Sequence, residues 1–190
     1  MSIWHWVRHG PTHQKAFTGW RDVPADLTDK AAIVRLHAAL PEGALLVSSD
    51  LLRARTTADT LAEGRTRLPH HPGLREFNFG LWDGEVFSTI ADRWPDLSRA
   101  YWEDPGPHAP PEGESWNDAA TRVEAAVNAL EAAHPGATFV AVAHIGVILT
   151  QYARVAGLSP KEAIAQNIAP LSVTTLHTAP AEVARINHCP

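Results

Sequence analysis

The sequence predicts an α/β fold, a three-layer sandwich with a central, mostly parallel sheet flanked by helices. Three observations carry this. Short apolar runs at 3–7, 44–47 and 138–142 alternate with helix-like segments, as strands buried on both faces do. Each run ends in polar residues (Arg8-His9, Ser48-Ser49-Asp50 and His144), and open α/β sheets hold their ligands beyond the carboxyl ends of the strands. A length of 190 residues, 45% hydrophobic and 19% charged, suits one globular domain with a sizeable core.

Along the chain, the first strand ends at Arg8, and Gly10-Pro11-Thr12 breaks it. Residues 20–27 are rich in turn formers, and Thr28 is placed to cap a helix running to about Leu40. A second strand, 44–47, leads into a helix rich in Leu, Ala and Arg that reaches about Ala62. Residues 68–84 contain three glycines and predict a loop with little regular structure. Residues 86–116 hold Trp94, Trp102, Trp116 and a proline-rich stretch at 104–112. They predict a helical insertion, about 86–114, followed by an ordered loop that covers a site. Ser115 is positioned to cap a long helix to about His134, ended by Pro135-Gly136. The third strand, 138–142, precedes a helix at 146–156. Ser159 caps a short helix at 160–167, and 173–177 with 183–186 predict a terminal strand pair.

Composition excludes several classes. No apolar run is long enough to span a bilayer, and Met1-Ser2-Ile3-Trp4-His5 lacks the basic and apolar stretches of a signal peptide. The single cysteine, Cys189, allows no internal disulfide and fits a reducing compartment, so the expected location is cytoplasmic. A net charge of −5 without a Lys/Arg cluster argues against nucleic acid. An anion site in such a chain must be built locally from a few arginines.

The candidate residues follow strand ends. His9 in Arg8-His9-Gly10 faces the crevice, and Gly10 admits close approach. A neutral imidazole is a good nucleophile toward phosphorus when one ring nitrogen is held by a hydrogen bond. Arg53 lies early in the second helix, and its planar fork suits a phosphoryl group. Arg55 points to another face. Glu76 sits among Phe77, Phe79 and Trp82, where burial would raise its pKa and fit it to protonate a leaving alkoxide. Asp83 and Glu85 are weaker candidates for that role. His144 follows the third strand and, protonated, would donate to phosphoryl oxygens. Taken singly, each has a plainer reading: a strand-end histidine, solvated arginines, a Glu76–Arg75 ion pair, a core histidine. Together they make a set for phosphoryl transfer, which is catalysed by positioning and by neutralising charge on the oxygens.

The chain resembles the histidine phosphatase superfamily, in its phosphoglycerate-mutase-like branch. The matching segments are Val7-Arg8-His9-Gly10-Pro11-Thr12, residues 49–58, residues 74–84, Pro111-Glu112-Gly113-Glu114-Ser115, and Val142-Ala143-His144-Ile145-Gly146. Asn187-His188 resembles a family ending more weakly. The resemblance implies a phosphohistidine at His9, a phosphate pocket of Arg8, Arg53 and His144, and Glu76 as proton donor. It also implies substrate contacts from Thr12, Lys15, Gly19 and Trp20, and neither metal nor organic cofactor.

The sequence departs from the family pattern in places. Lys15 stands where the family often has Asn, Ile145 intervenes before Gly146, and Ala25-Asp26 are extra in the usual Asp-Val-Pro-Leu stretch, here Asp22 to Leu27. The expected activity is hydrolysis of a small phosphorylated metabolite: a sugar phosphate, phosphoglycerate or α-ribazole phosphate. Phosphoglycerate mutase is the competing enzyme, because Phe17-Thr18-Gly19-Trp20 with Asp22 resembles the mutase loop. A binding module that kept the fold would have lost one of Arg8, His9, Arg53 or His144, and all are present. His5, His9 and His13 have metal-ligand spacing for a helix, but Gly10-Pro11 interrupts any helix there, so no metal is expected. The oligomeric state is left open, with a homodimer as one option. Trp4, Trp6 and Trp82 read as core or pocket wall, and Trp94, Trp102 and Trp116 as packing of the insertion or a cover over an organic leaving group.

Overall fold

A computed structural model describes residues 2–190. The elements run β1 (Ile3–Arg8), α1 (Lys30–Ala39), β2 (Leu45–Ser48), α2 (Leu52–Asp59), β3 (Thr66–Arg67), α3 (Phe87–Arg93), α4 (Pro95–Glu103), α5 (Trp116–Ala133), β4 (Thr138–Ala143), α6 (Ile145–Ala156), α7 (Pro160–Ile164), β5 (Val173–Thr178) and β6 (Ala181–His188). The sheet order is β3-β2-β4-β1-β5-β6. β3, β2, β4 and β1 are parallel neighbours, whereas β5 and β6 add an antiparallel edge.

Alternation along the strands makes two cores. Trp4, Trp6, Phe139, Ala141 and Ala143 pack on one face with Val123 and Val127 of α5 and Val147 and Ile148 of α6. Val7, Leu46, Val140 and Val142 pack on the other with Leu36 of α1 and Ala54 and Ala58 of α2. Helices therefore cover both faces, giving the three layers. Trp4 stacks on Phe139 with ring centroids 4.2 Å apart and on Trp6 at 5.0 Å. Each such buried large side chain stabilises the fold by roughly 1.5–3 kcal/mol relative to exposure.

Local chemistry explains where the elements begin and where they depart from expectation. α1 is capped by Asp29, whose carboxylate accepts from Ala32 N, and not by Thr28. Thr28 is instead bonded through both its N–H and its hydroxyl to Asp26 Oδ1. α2 ends at Asp59, before Ala62, and α7 ends at Ile164, before Asn167. Ser115 and Ser159 cap as expected, each in a reciprocal box with Asp118 or Glu162. The stretch expected to be loop contains two short 3₁₀ turns, Pro72–Leu74 and Gly80–Trp82. The insertion forms two short helices, α3 and α4, with their own small core of Trp82, Ile90 and Tyr101 against Phe17, Phe79 and Trp94.

Register positions the site. Arg8 lies opposite Ala143 in the parallel pair, and His9 N donates to Ala143 O at 3.0 Å. His9 and His144 therefore leave neighbouring strands at the same level of the same edge. Ser49 N donates to Val142 O at 3.1 Å, which brings the start of α2 to that edge as well.

Candidate active site

His9 is 6% exposed at the carboxyl end of β1. Its Nδ1 lies 2.7 Å from Gly10 O. A carbonyl only accepts, so Nδ1 carries the proton and Nε2 the lone pair. Arg53 Nε donates to that Nε2 at 3.2 Å. Burial, with Arg53 nearby, pushes the His9 pKa down to about 3, so the ring is neutral at physiological pH.

Arg53 is 1% exposed, and its fork is held by backbone carbonyls. Nη2 donates to Gly19 O at 2.7 Å and Nη1 to Arg21 O at 3.1 Å. The helix that carries it is tied to both neighbouring loops. Asp22 Oδ1 accepts from Leu52 N at 2.6 Å, and Thr57 Oγ1 accepts from Gly10 N at 3.0 Å. Arg8 is anchored through Nη1 to Ile168 O at 2.6 Å. Asn187 fixes that turn, its Oδ1 accepting from Ala169 N at 2.6 Å.

Glu76 is 4% exposed. Its Oε1 accepts from Phe77 N at 2.9 Å and its Oε2 from Gly146 N at 3.3 Å. Burial raises its pKa, and the two amides with Arg53 and Arg8 only partly offset this. The expected alternative partner, Arg75, is taken by Asp50, with bonds of 2.8 and 2.6 Å. The backbone carbonyl of Glu76 is gripped by Trp20 Nε1 at 2.7 Å and Arg122 Nη2 at 3.3 Å. Arg122 in turn forks onto Glu114 with two bonds of 2.7 Å. A side chain on Gly146 would collide with the Glu76 carboxylate and the Phe77 ring, so the glycine is what lets the acid sit there.

His144 is fully buried, its ring centroid 5.1 Å from that of His9. Both its nitrogens lack a hydrogen-bond partner among the described residues. Burial, Arg53 and His9 hold its pKa well below the ordinary histidine value. The expectation of a protonated His144 is therefore corrected: in the free protein the ring is neutral, and it offers one N–H donor.

A cleft of about 170 Å³ opens over these groups, with Arg8, His9, Thr12, Gln14, Arg53 and Glu76 in its lining. His144, Lys15, Gly19 and Trp20 do not line it, His144 being fully buried next to the His9 ring. Lys15 is exposed, and Gln14 takes the place facing the cleft. Gly19 and Trp20 act on the cleft at one remove, through the Arg53 fork and the Glu76 carbonyl. Asp83 is no second acid, because it does not line the cleft; its two oxygens instead accept from Gly19 N and Arg21 N at 3.1 and 2.9 Å. Glu85 pairs with Arg93 at 3.3 Å. His5 bonds Thr175 and His13 bonds Asp26, so neither joins His9. Among the described residues, no three His, Cys, Asp or Glu side chains gather as a metal site would require. No helix among them is long and apolar enough to cross a membrane. Arg122, Thr57 and Gln14 were not singled out in the sequence, and Asp22 stood there only as part of the mutase-like loop. Of the first three, only Thr57, one helical turn after Arg53, carried any signal.

The chain matches the family described as the histidine phosphatase superfamily (branch 1) over residues 5–187. A Mycobacterium tuberculosis protein named bifunctional protein Rv2228c is 31% identical over 196 residues, covering 95% of this chain and 52% of its own. The chain thus spans about half the length of that curated relative. A 2,3-bisphosphoglycerate-dependent phosphoglycerate mutase of Bartonella henselae is 31% identical over 130 residues, 62% of each chain. The solved structure of a mycobacterial glucosyl-3-phosphoglycerate phosphatase superposes with a TM-score of 0.79 at 30% identity, over 92% of this chain and 89% of that one.

Proposed function

The chain belongs to the histidine phosphatase superfamily, branch 1, and from that premise we propose that it hydrolyses a small phosphate monoester through a phosphohistidine on His9. The observation that carries this reading is His9, its Nε2 the acceptor nitrogen held by Arg53 Nε at 3.2 Å, in the wall of a cleft it shares with buried Arg53 and the buried acid Glu76.

The steps follow from the groups present. The substrate phosphoryl group enters between Arg8 and Arg53, and its oxygens take donors from both guanidiniums and from the N–H of His144. His9 Nε2 attacks phosphorus in line as the ester P–O bond breaks. The departing alkoxide takes a proton from Glu76, whose pKa burial raises. Water then gives a proton back to the Glu76 carboxylate and attacks the phosphohistidine. The N–P bond breaks, inorganic phosphate leaves, and His9 and Glu76 are restored. The cycle as written uses no metal or organic cofactor, and its partner is a small phosphorylated molecule.

Mutase activity would require the phosphohistidine to survive until a second hydroxyl takes the phosphoryl group. Hydrolysis is the better reading because the structural likeness to a phosphatase runs nearly end to end, while the sequence likenesses to mutases cover 62% to 73% of the chain. A panel of phosphate monoesters including 3-phosphoglycerate, each with and without 2,3-bisphosphoglycerate, separates the two. Phosphate release without any 2-phosphoglycerate is expected. Isomerisation that depends on the bisphosphate overturns the hydrolase reading.

A further inference from the structure

Beside the phosphate cleft lies a second hollow, of about 280 Å³, and the two share Glu76, Phe79 and Ile145 in their walls. Its remaining wall is apolar, built from Phe17, Phe77, Tyr101, Trp102, Trp116 and aliphatic side chains of α6 and α7. Glu76 is its one ionisable group apart from the Tyr101 phenol, and no Lys, Arg, His, Asn or Gln lines it. Its shared wall places it next to the acid that would protonate a departing oxygen.

We propose that this hollow is the leaving-group subsite and that the substrate is the phosphate ester of a compact apolar, aryl-bearing alcohol. The proposal rests on the hydrolase reading of the neighbouring cleft and narrows its substrate class. A carboxylate or a hydroxyl-rich sugar placed there would lose its water with only the Glu76 carboxyl and the Tyr101 hydroxyl in the wall to replace it, and no cation. A phenyl ring gains burial and edge or face contacts with the aromatic wall. The volume is at the small end of the range for ligand pockets, which favours a compact group. Trp102, 40% exposed, forms the rim. Its ring stands 5.3 Å from Tyr101 and 6.3 Å from Phe17. Trp94 is not part of the hollow, being packed 6.3 Å from Trp82 with Arg93 over its ring.

Two matched series test this with the full chain. Binding of 3-phenylpropyl, 3-hydroxypropyl and 2-carboxyethyl phosphonates, which hydrolysis cannot cleave, is read from tryptophan fluorescence. Turnover of 3-phenylpropyl and 3-hydroxypropyl phosphates, whose alcohols differ little in acidity, is read as kcat/KM. The phenyl compounds are expected to win by about tenfold or more in both, with the carboxyethyl phosphonate weakest. Trp102→Ala should shrink the preference. Equal or stronger binding of the hydroxypropyl or carboxyethyl phosphonate overturns the apolar subsite. Equal turnover of the two esters through a His9 phosphoenzyme overturns it too, while leaving the hydrolase reading in place. A phenyl preference in binding without turnover of any ester keeps the subsite and overturns the hydrolase reading instead.

Discussion

Arg53 Nε donates to His9 Nε2 at 3.2 Å, and this one bond defines the state of the free site. It identifies Nε2 as the acceptor nitrogen, in agreement with the Nδ1 bond to Gly10 O. An arriving phosphoryl oxygen competes for the same guanidinium donor. Substrate binding and release of the nucleophile's lone pair are thus one event.

That coupling needs the planar fork of arginine, because Arg53 reaches His9, Gly19 and Arg21 at once. Lysine keeps the charge but loses the geometry. Arg53→Lys is expected to lower kcat/KM by about 10²- to 10³-fold, the range for losing an oriented donor to a transferring group. Steady-state kinetics check this, and a variant within threefold of wild type would contradict the fork's role.

Glu76→Gln keeps the shape of the side chain and removes the transferable proton. Esters with poor leaving groups should slow by about 10²-fold or more, and p-nitrophenyl phosphate far less, since an activated leaving group hardly needs a proton. Equal losses on both would remove Glu76 from the acid role.

Burial leaves a pH signature in stability. His9 and His144 are held neutral in the fold, while the same groups in the unfolded chain protonate below about 6.5. Both depressed values favour the fold above that pH, and the gain is lost as pH falls toward their folded values. For His9, with a folded value of about 3, the loss by pH 5 is roughly 2 kcal/mol. Glu76 acts in the opposite sense. Its raised value penalises the fold as pH climbs above about 4.3, so the measurement belongs in the Glu76→Gln background. Urea unfolding there should show lower stability at pH 5 than at pH 7, and His144→Gln should flatten the dependence. A flat profile in Glu76→Gln itself would show that these histidines are not kept neutral by the fold.

Much of this was readable before any coordinates. Arg8, His9 and His144 end strands buried on both faces, and parallel register leaves little freedom in where such residues emerge. Arg53 follows from the same logic, as the second residue of α2. Lys15 did not, because His13 adopts a left-handed backbone with φ 55°, tied through its ring to Asp26 at 2.8 Å. That reversal turns Gln14 toward the cleft and Lys15 toward solvent, and no spacing rule anticipates it. The cap of α1 moved for a similar reason, since Asp26 engages Thr28 and leaves Asp29 to do the capping. Arg122 was illegible because it lies within α5, 46 residues along the chain from the Glu76 carbonyl that it ties to the nearby Glu114 carboxylate. Only the packing of α5 against the 72–76 turn brings them together.

The central claim is covalent and is tested most directly by trapping the intermediate. Wild-type protein mixed with a turning-over ester and quenched into alkali, then analysed by peptide mass spectrometry, should carry a base-stable, acid-labile phosphate on His9. His9→Ala should carry none and should release no phosphate while unfolding at a similar urea concentration. Phosphate on another residue, or undiminished turnover by folded His9→Ala, would contradict the account.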